Sequence, residues 1–288
     1  MGFENIIKGD SRSILDSPLI ILQQKDSTTL KEEYNKVLNL FNNNDYSKSL
    51  ELGLKLLKRI EIEQNIEMEY LCTFLIGELF RKLKNHEKSI IYYNRSLKIL
   101  KNVNKDNILE FKYHDKTFLK DVNIANNLLK IGVGHFRLGN NDSAKIFYNK
   151  VIKINSLNKE YLPIKASALH NLSNLYIRSK KYVEARNYLN EVINIRREIN
   201  DKLNEASTLS SLASIYLLEK NYIKAKEVYK EAIKLIEYDE SSTAYTYKQS
   251  IYFNLAWTLY LLKDYTAYEY QELSYDIKDS LKDVNFEH

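Results

Sequence analysis

Glycines between residues 132 and 139 form the pattern in this chain that comes nearest to a chemical motif. Gly132, Gly134 and Gly139 superficially resemble the glycines of a phosphate-binding loop. Such a loop needs a lysine after its last glycine and a strand before its first, but Asn140 follows and no strand pattern precedes. The spacing therefore favours packing, with Gly132 as a small residue where two helices cross.

Motifs for hydrolysis or metal binding are missing from the sequence. It has no Gly-x-Ser-x-Gly elbow, no His-Glu-x-x-His pair and no calcium loop. The single cysteine, Cys72, allows neither an intrachain disulfide nor a cysteine-based zinc site, and we expect it to be buried in a helix. We therefore expect no catalytic residue, no metal and no cofactor, and we predict that the protein is not an enzyme, although an active site assembled across repeats stays open. The histidines lie far apart, without ligand spacing, at His86, His114, His135, His170 and His288.

A two-helix unit that begins near residue 169 organises the rest of the chain. Its first helix places apolar, small and aromatic residues at helical spacing, as Leu169, Leu172, Ser173 and Tyr176. Its second helix carries the small Ala185 between bulky residues. Forty residues later the same places hold Leu209, Leu212, Ala213, Tyr216 and Ala225. His135 takes the place of the aromatic residue in an earlier copy, which predicts a packing role for it.

This unit resembles the tetratricopeptide repeat, in which two helices cross closely at small residues. Alignment on the small residue of the second helix gives Ser49, Ser89, Ala144, Ala185, Ala225 and Tyr268, and alignment on that of the first helix gives Val37, Gly77, Gly132, Ser173, Ala213 and Ala256. Most steps are close to 40 residues, so we expect each helix to be longer than is usual for the family. Units of this length look like those of kinesin light chain and of the Rap/PlcR-type peptide receptors of bacteria.

The resemblance implies an all-α fold, a right-handed α-solenoid of about six helix-turn-helix repeats. We expect an extension or capping helix over residues 1–28, the solenoid over 29–283 and a tail over 284–288. One step of 55 residues predicts an insertion near 102–118, whose apolar content favours a continued helix. Insertions in solenoids often lie on the binding face, so this segment is a candidate site.

The resemblance also implies a binding groove, because the first helix of each repeat lines the concave surface in this family. Carried over by alignment, the groove is polar at its centre, basic on one side and aromatic on the other. Its predicted residues are Asn126, Lys130, Arg137, His170, Asn171, Asn174, Arg178, Ser207, Ser211, Ser214, Asn254 and Trp257. Asparagine carboxamides could hold the backbone of an extended peptide, and arginines could bind a carboxylate. The alternative is that these residues only form the hydrated inner face of a superhelix.

Two functions follow from these observations. The first is a non-enzymatic module that binds a protein or peptide segment in the groove, with a bacterial regulatory peptide sensor as one form of it. The second is a scaffold or assembly subunit that binds through its convex face or the insertion, which leaves a homo-oligomer open.

Charge and hydropathy restrict the partners and the location. The formal net charge is +5, and residues 240–288 hold four lysines and eight acidic residues, which leaves +9 on residues 1–239. The lysines are scattered among acidic residues, which favours solvated helix surfaces over a nucleic-acid site. No signal peptide and no run of 18 apolar residues is present, so we expect a cytoplasmic protein without a membrane partner.

Overall fold

The computed structural model describes residues 18–102, 112–113, 116–117 and 120–286, with side chains over 29–102 and 120–281. The chain divides into two compact units, residues 1–118 and 119–288. In the first unit the helices are α1 (Pro18–Asn42), α2 (Tyr46–Glu63), α3 (Ile66–Lys82) and α4 (His86–Asn102), followed by the two-residue strands β1 (Lys112–Tyr113) and β2 (Lys116–Thr117). In the second they are α5 (Lys120–Arg137), α6 (Asn141–Ile152), α7 (Leu162–Arg178), α8 (Tyr182–Glu198), α9 (Lys202–Leu218), α10 (Tyr222–Ile236), α11 (Ser242–Leu261) and α12 (Ala267–Phe286).

Each unit is a row of helical hairpins in which consecutive helices pack against one another. The side chains of Asp45, Asn65 and Asn221 accept hydrogen bonds from the third backbone amides of α2, α3 and α10, which fixes where those helices begin. One left-handed residue ends the first helix of every described hairpin, at Asn44, Lys84, Gly139, Lys180, Lys220 and Lys263. The predicted all-α fold of stacked helix-turn-helix repeats is confirmed.

Small residues lie where the two helices of a hairpin cross, as the alignment predicted. A Cβ atom on Gly77 would stand 2.8 Å from ring carbons of Tyr93, and one on Gly132 would stand 2.7 Å from Cε1 of Tyr148. Both tyrosine rings are fully buried. In the first hairpin the buried Ser49 hydroxyl donates to the backbone oxygen of Val37 at 2.8 Å. The second helix of each of these hairpins therefore rests on the backbone of the first.

In the second unit the core is formed by the first and the second helices of the hairpins together. Leu209, Leu212 and Ala213 from α9 pack with Ala225 and Tyr229 from α10. His135 stacks on Phe147 with ring centroids 5.4 Å apart, which agrees with the packing role predicted for it. Each first helix thus buries one side in the hairpins and leaves its other side for contact with solvent or a partner.

Three details differ from the sequence predictions. In the last hairpin Ala267 is 7% exposed and Tyr268 is 70% exposed, so the alignment on Tyr268 was wrong by one residue. The strands at 112–113 and 116–117 pair as an antiparallel hairpin, so the helix expected near 102–118 is wrong at these positions, and residues 103–111, 114–115 and 118 of the insertion lie outside the described residues. The predicted boundary at residue 28 falls inside α1, and α12 extends to Phe286, beyond the predicted start of the tail.

Candidate functional site

The twelve residues predicted for the groove lie in the second unit, on α5, α7, α9 and α11, the first helices of its four hairpins. Each of the twelve is half-buried or exposed, whereas Leu172 and Leu209 on the same helices are buried. We call the surface that they form the A-helix face.

Neighbouring first helices are close enough to form one surface. Helix α5 packs on α7, and α9 packs on α11. Between α7 and α9, Nε2 of His170 lies 3.4 Å from Oγ of Ser211. The guanidinium of Arg178 on α7 stands 4.4 Å from the centre of the Phe136 ring on α5. These contacts place side chains from successive repeats within reach of one extended segment.

Four asparagines of the A-helix face have side chains without a hydrogen-bond partner among the described residues. They are Asn126, Asn171, Asn174 and Asn254, and all four are half-buried. By contrast, the carboxamide of the fully buried Asn127 donates to the backbone oxygen of Asn123 at 2.9 Å. A half-buried carboxamide without a partner in the chain keeps two donors and one acceptor for a ligand or for water.

Two serines of the face are already engaged within the chain. The Ser214 hydroxyl donates to the Ser210 backbone oxygen at 2.9 Å and lies 2.8 Å from the Tyr229 hydroxyl. The Ser211 hydroxyl donates to the Ser207 backbone oxygen at 3.2 Å. These serines shape the face and hold neighbouring helices together, so the asparagines remain its main free polar groups.

A cationic edge runs along the last turns of α5 and α7. Arg137 and Arg178 occupy equivalent positions in their repeats, and both are exposed. Neither forms an ion pair with a carboxylate within the part of the chain that the structure describes. Stacking on Phe136 holds the Arg178 guanidinium in place. This edge could bind a carboxylate in bidentate fashion.

His170 stands at the middle of the face and is neutral at pH 7. Burial, with the nearby Arg196 guanidinium as a second cause, lowers the pKa of His170 from 6.5 to about 4. Its Nδ1 atom is buried and has no partner among the described residues. The ring therefore contributes shape and one polar contact to the face, without a charge.

Sequence reasoning missed Arg196, which lies on α8 and is 6% exposed. Its Nη1 atom donates to the backbone oxygen of Asn204 and to the Thr208 hydroxyl on α9. Burial lowers the pKa of this guanidinium, although Asp201 opposes the shift. A signal was present in the sequence, because the equivalent positions in three other repeats hold the buried Ile60, Leu100 and Ile236. A charged residue in an apolar register marks a polar link between α8 and α9.

The aromatic end of the face is continuous with the last helix. Phe253 and Trp257 are each 53% exposed on α11, and the Trp257 ring stacks on Tyr260 with centroids 5.4 Å apart. Together with Tyr268 of α12 they line a cavity of about 320 Å³. Trp257 thus belongs both to the A-helix face and to a separate aromatic surface.

Within the described ranges, no group of three His, Cys, Asp or Glu side chains is placed to bind a metal ion. None of the helices over these residues combines the length and the apolar character that spanning a membrane requires. The predicted groove is composed mainly of amides, hydroxyls, arginines and aromatic rings.

Comparison with known proteins identifies the repeats. A family model described as tetratricopeptide repeat matches residues 123–198 and 164–237, and a second with the same description matches residues 74–100. Residues 74–100 and 123–237 are tetratricopeptide repeats. A comparison with curated proteins gave no match.

Solved structures with a similar fold agree with this assignment. BtubC (BKLC) from P. vanneervenii is 15% identical with a TM-score of 0.63, over 88% of this chain and 92% of that chain. The apo form of the quorum sensor NprR from B. thuringiensis is 16% identical with a TM-score of 0.61, over 92% and 82%. A putative kinesin light chain from Podospora anserina, with nearly identical TPR-like repeats, is 12% identical with a TM-score of 0.55, over 72% and 94%. At these identities the likeness concerns the fold.

Proposed function

We propose that the A-helix face of residues 119–288 binds an extended peptide or protein segment and that the chain is a non-enzymatic binding module. The observation that carries the proposal is the row of half-buried asparagines whose carboxamides have no hydrogen-bond partner among the described residues. An extended backbone presents donors and acceptors at regular intervals, and carboxamides can match both.

The cationic edge would set the direction in which such a segment binds. A segment that lies across the asparagines would place a carboxylate, from an acidic side chain or a C-terminus, against Arg137 and Arg178. Both guanidinium groups lack a carboxylate partner in the described chain, so a ligand need not displace an existing ion pair. The proposed ligand is therefore an extended segment with at least one negative group.

The structural likeness to a quorum sensor supports a regulatory form of this function, in which the bound segment acts as a signal. In a row of repeats, small rotations between neighbours add up, so a ligand that touches several first helices can change the pitch of the whole row. The contacts among α5, α7, α9 and α11 give such a ligand several repeats to bridge.

The test is capture of the ligand by the full chain, expressed with a tag in its own cells, with mass spectrometry of what stays bound. The test variant is Asn171→Ala with Asn174→Ala, on the A-helix face. The matched control is Asn190→Ala with Asn194→Ala, two exposed asparagines on α8. We expect a peptide or single partner that is lost from the test variant and retained by the control. Equal recovery from both variants would contradict the proposal and favour a scaffold that binds elsewhere.

A further inference from the structure

The exposed aromatic residues of the described chain are concentrated near its last two helices. Among large hydrophobic side chains classed as exposed, each of the aromatic ones falls between residues 238 and 275. Four of them, Phe253, Trp257, Tyr260 and Tyr268, line one cavity between α11 and α12. Tyr275 follows Tyr268 two turns later on the same side of α12, and we call these five residues the aromatic face. Exposed apolar patches of this kind mark interaction sites, because burying aromatic area releases water and contributes strongly to binding.

The shape of the aromatic face fits a helix. Phe253, Trp257 and Tyr260 are spaced i, i+4 and i+7 on α11, and Tyr268 and Tyr275 are spaced i and i+7 on α12, so each set lies along one side of its helix. Between them is the cavity of about 320 Å³, and a second of about 460 Å³ shares Tyr260 and Tyr268 with it. The cavity of about 320 Å³ forms a groove between the two rows of side chains, and the second cavity extends this groove towards the connection between α11 and α12.

The packing of the helices within residues 119–288 also indicates that a helix would occupy this groove. Helix α11 packs on α9 and α10, and α10, which has α9 and α11 as neighbours, buries five residues. Over the described side chains of α12 only Ala267 and Ser274 are buried. Inside residues 119–288 no described helix lies on α11 and α12 in the way that α11 lies on α9 and α10. A helix in that place would continue the packing of the preceding hairpins.

The exposed carboxylates beside the aromatic face favour a partner with basic residues. Glu272 lies between Tyr268 and Tyr275 on the same side of α12, and Glu269 and Asp276 flank it; all three are exposed. None of the three carboxylates has an ion-pair partner among the described residues. Residues 240–288 carry a net charge of −4. Two copies of this face would bring like charges together, whereas a helix with lysine or arginine beside its apolar side would be attracted.

We propose that the aromatic face of α11 and α12 docks an amphipathic helix of a partner protein, with an apolar side that enters the groove and basic residues that meet Glu269, Glu272 and Asp276. The aromatic rings would also favour the basic side chains, since a cation over a ring is stabilised. The Lys278 ammonium already stands 5.9 Å from the centre of the Tyr275 ring. This docking surface is additional to the peptide site on the asparagines of the A-helix face.

The single tryptophan makes the proposal directly testable, since Trp257 lies in the groove and is half exposed. The probe is a synthetic helical peptide of about 20 residues with leucine on one side and lysine on the other, titrated into the full chain while Trp257 emission is recorded. The matched peptide carries glutamate in place of lysine. We expect a saturable blue shift with the lysine peptide, a weaker interaction with the glutamate peptide, and loss of affinity as salt rises.

Variants separate this face from general attraction to an acidic surface. Glu269→Lys with Glu272→Lys should weaken binding of the lysine peptide about tenfold. Glu184→Lys with Glu191→Lys, on α8, changes the net charge equally and should leave affinity nearly unchanged. Tyr268→Ser should weaken binding as well, whereas Tyr238→Ser, at an exposed tyrosine outside the face, should not.

Three results would overturn the proposal: equal affinity for both peptides, equal effects of the two charge-reversal pairs, or a Trp257 emission shift that depends on protein concentration alone. The last result would assign the face to a second copy of the chain. Asn171→Ala with Asn174→Ala should leave lysine-peptide binding intact, so failure of the A-helix face and failure of the aromatic face can be distinguished.

Discussion

Replacing Gly77 by alanine should destabilise the first unit, although alanine is the better helix former. The new Cβ would lie 2.8 Å from Cδ1 and Cε1 of Tyr93, against 3.4 to 4 Å for an ordinary contact. The ring cannot easily move, because the Tyr93 hydroxyl donates to Glu78 at 2.6 Å and Arg81 holds the same carboxylate. Overpacking of this kind costs about 1–3 kcal/mol, and alanine returns about 1 kcal/mol of helix propensity. We expect a net loss of about 1 kcal/mol.

Gly53 supplies the matched control in the same unit. A Cβ there would meet Ile76 and Val37 at 3.4 Å, which is an ordinary contact. Gly53→Ala should therefore stabilise the chain by roughly 0.5–1 kcal/mol through helix propensity alone. Relative to the unsubstituted chain, Gly77→Ala should be less stable and Gly53→Ala more stable, with a difference of about 2 kcal/mol between the two variants. Urea unfolding followed by circular dichroism can measure this difference.

A double-mutant cycle tests the stated cause. In a Tyr93→Leu background the clash is removed, so adding Gly77→Ala should cost nothing or stabilise the chain. Gly132→Ala should behave like Gly77→Ala, because its Cβ would lie 2.7 Å from the ring of Tyr148. If Gly77→Ala proves as stable as Gly53→Ala, the inference that the helices cross on these glycines is wrong.

Three further predictions concern titratable groups whose pKa is shifted by burial. Because the pKa of His170 is lowered from 6.5 to about 4, the unfolded chain takes up a proton at His170 before the folded chain does, and up to about 3 kcal/mol of stability should be lost as pH falls from 6.5 towards 4. The stability of His170→Asn should depend less on pH over that range. Equal pH dependence of the two proteins would contradict this prediction. Burial raises the pKa of Tyr229 from 10.0 to about 12, so stability should fall as pH rises through that interval, and Tyr229→Phe should reduce the slope. Burial also raises the pKa of the Cys72 thiol to about 12, so Ellman's reagent should label it at pH 8 only after unfolding, and rapid labelling of the native chain would refute its burial.

The repeat pattern was sufficient to predict the fold and which side of each first helix is free. Leu172 and Leu209 are buried while Asn171 and Ser207 are not, because helical spacing assigns them to different sides of their helices. Gly77 and Gly132 were predictable as crossing residues from their places in the repeat alignment. In the structure, a bulky side chain at either place does not fit against Tyr93 or Tyr148. The periodicity of the sequence indicates which residues are buried, and the pattern of buried residues defines the fold of a repeat protein.

Other features depend on contacts between repeats, which a single pattern does not encode. The alignment chose Tyr268 over Ala267 because a helix that buries few residues places weak constraints on its sequence. Arg196 escaped notice because its partners, Asn204 and Thr208, belong to the next repeat. Which asparagines of the A-helix face lack partners is also a property of the folded chain, since carboxamides of similar spacing elsewhere bond to their own helix, as Asn94 does to Ile90 at 2.9 Å.

Site-specific photo-crosslinking can locate the binding surface directly. A photoreactive amino acid placed at Ser207, on the A-helix face, is compared with one placed at Asn190, on α8, and the crosslinked products from cells that express the chain are identified by mass spectrometry. We expect a single peptide or protein segment attached at Ser207 and little product from Asn190. Equal products from both positions, or a product from Asn190 alone, would contradict binding on the A-helix face.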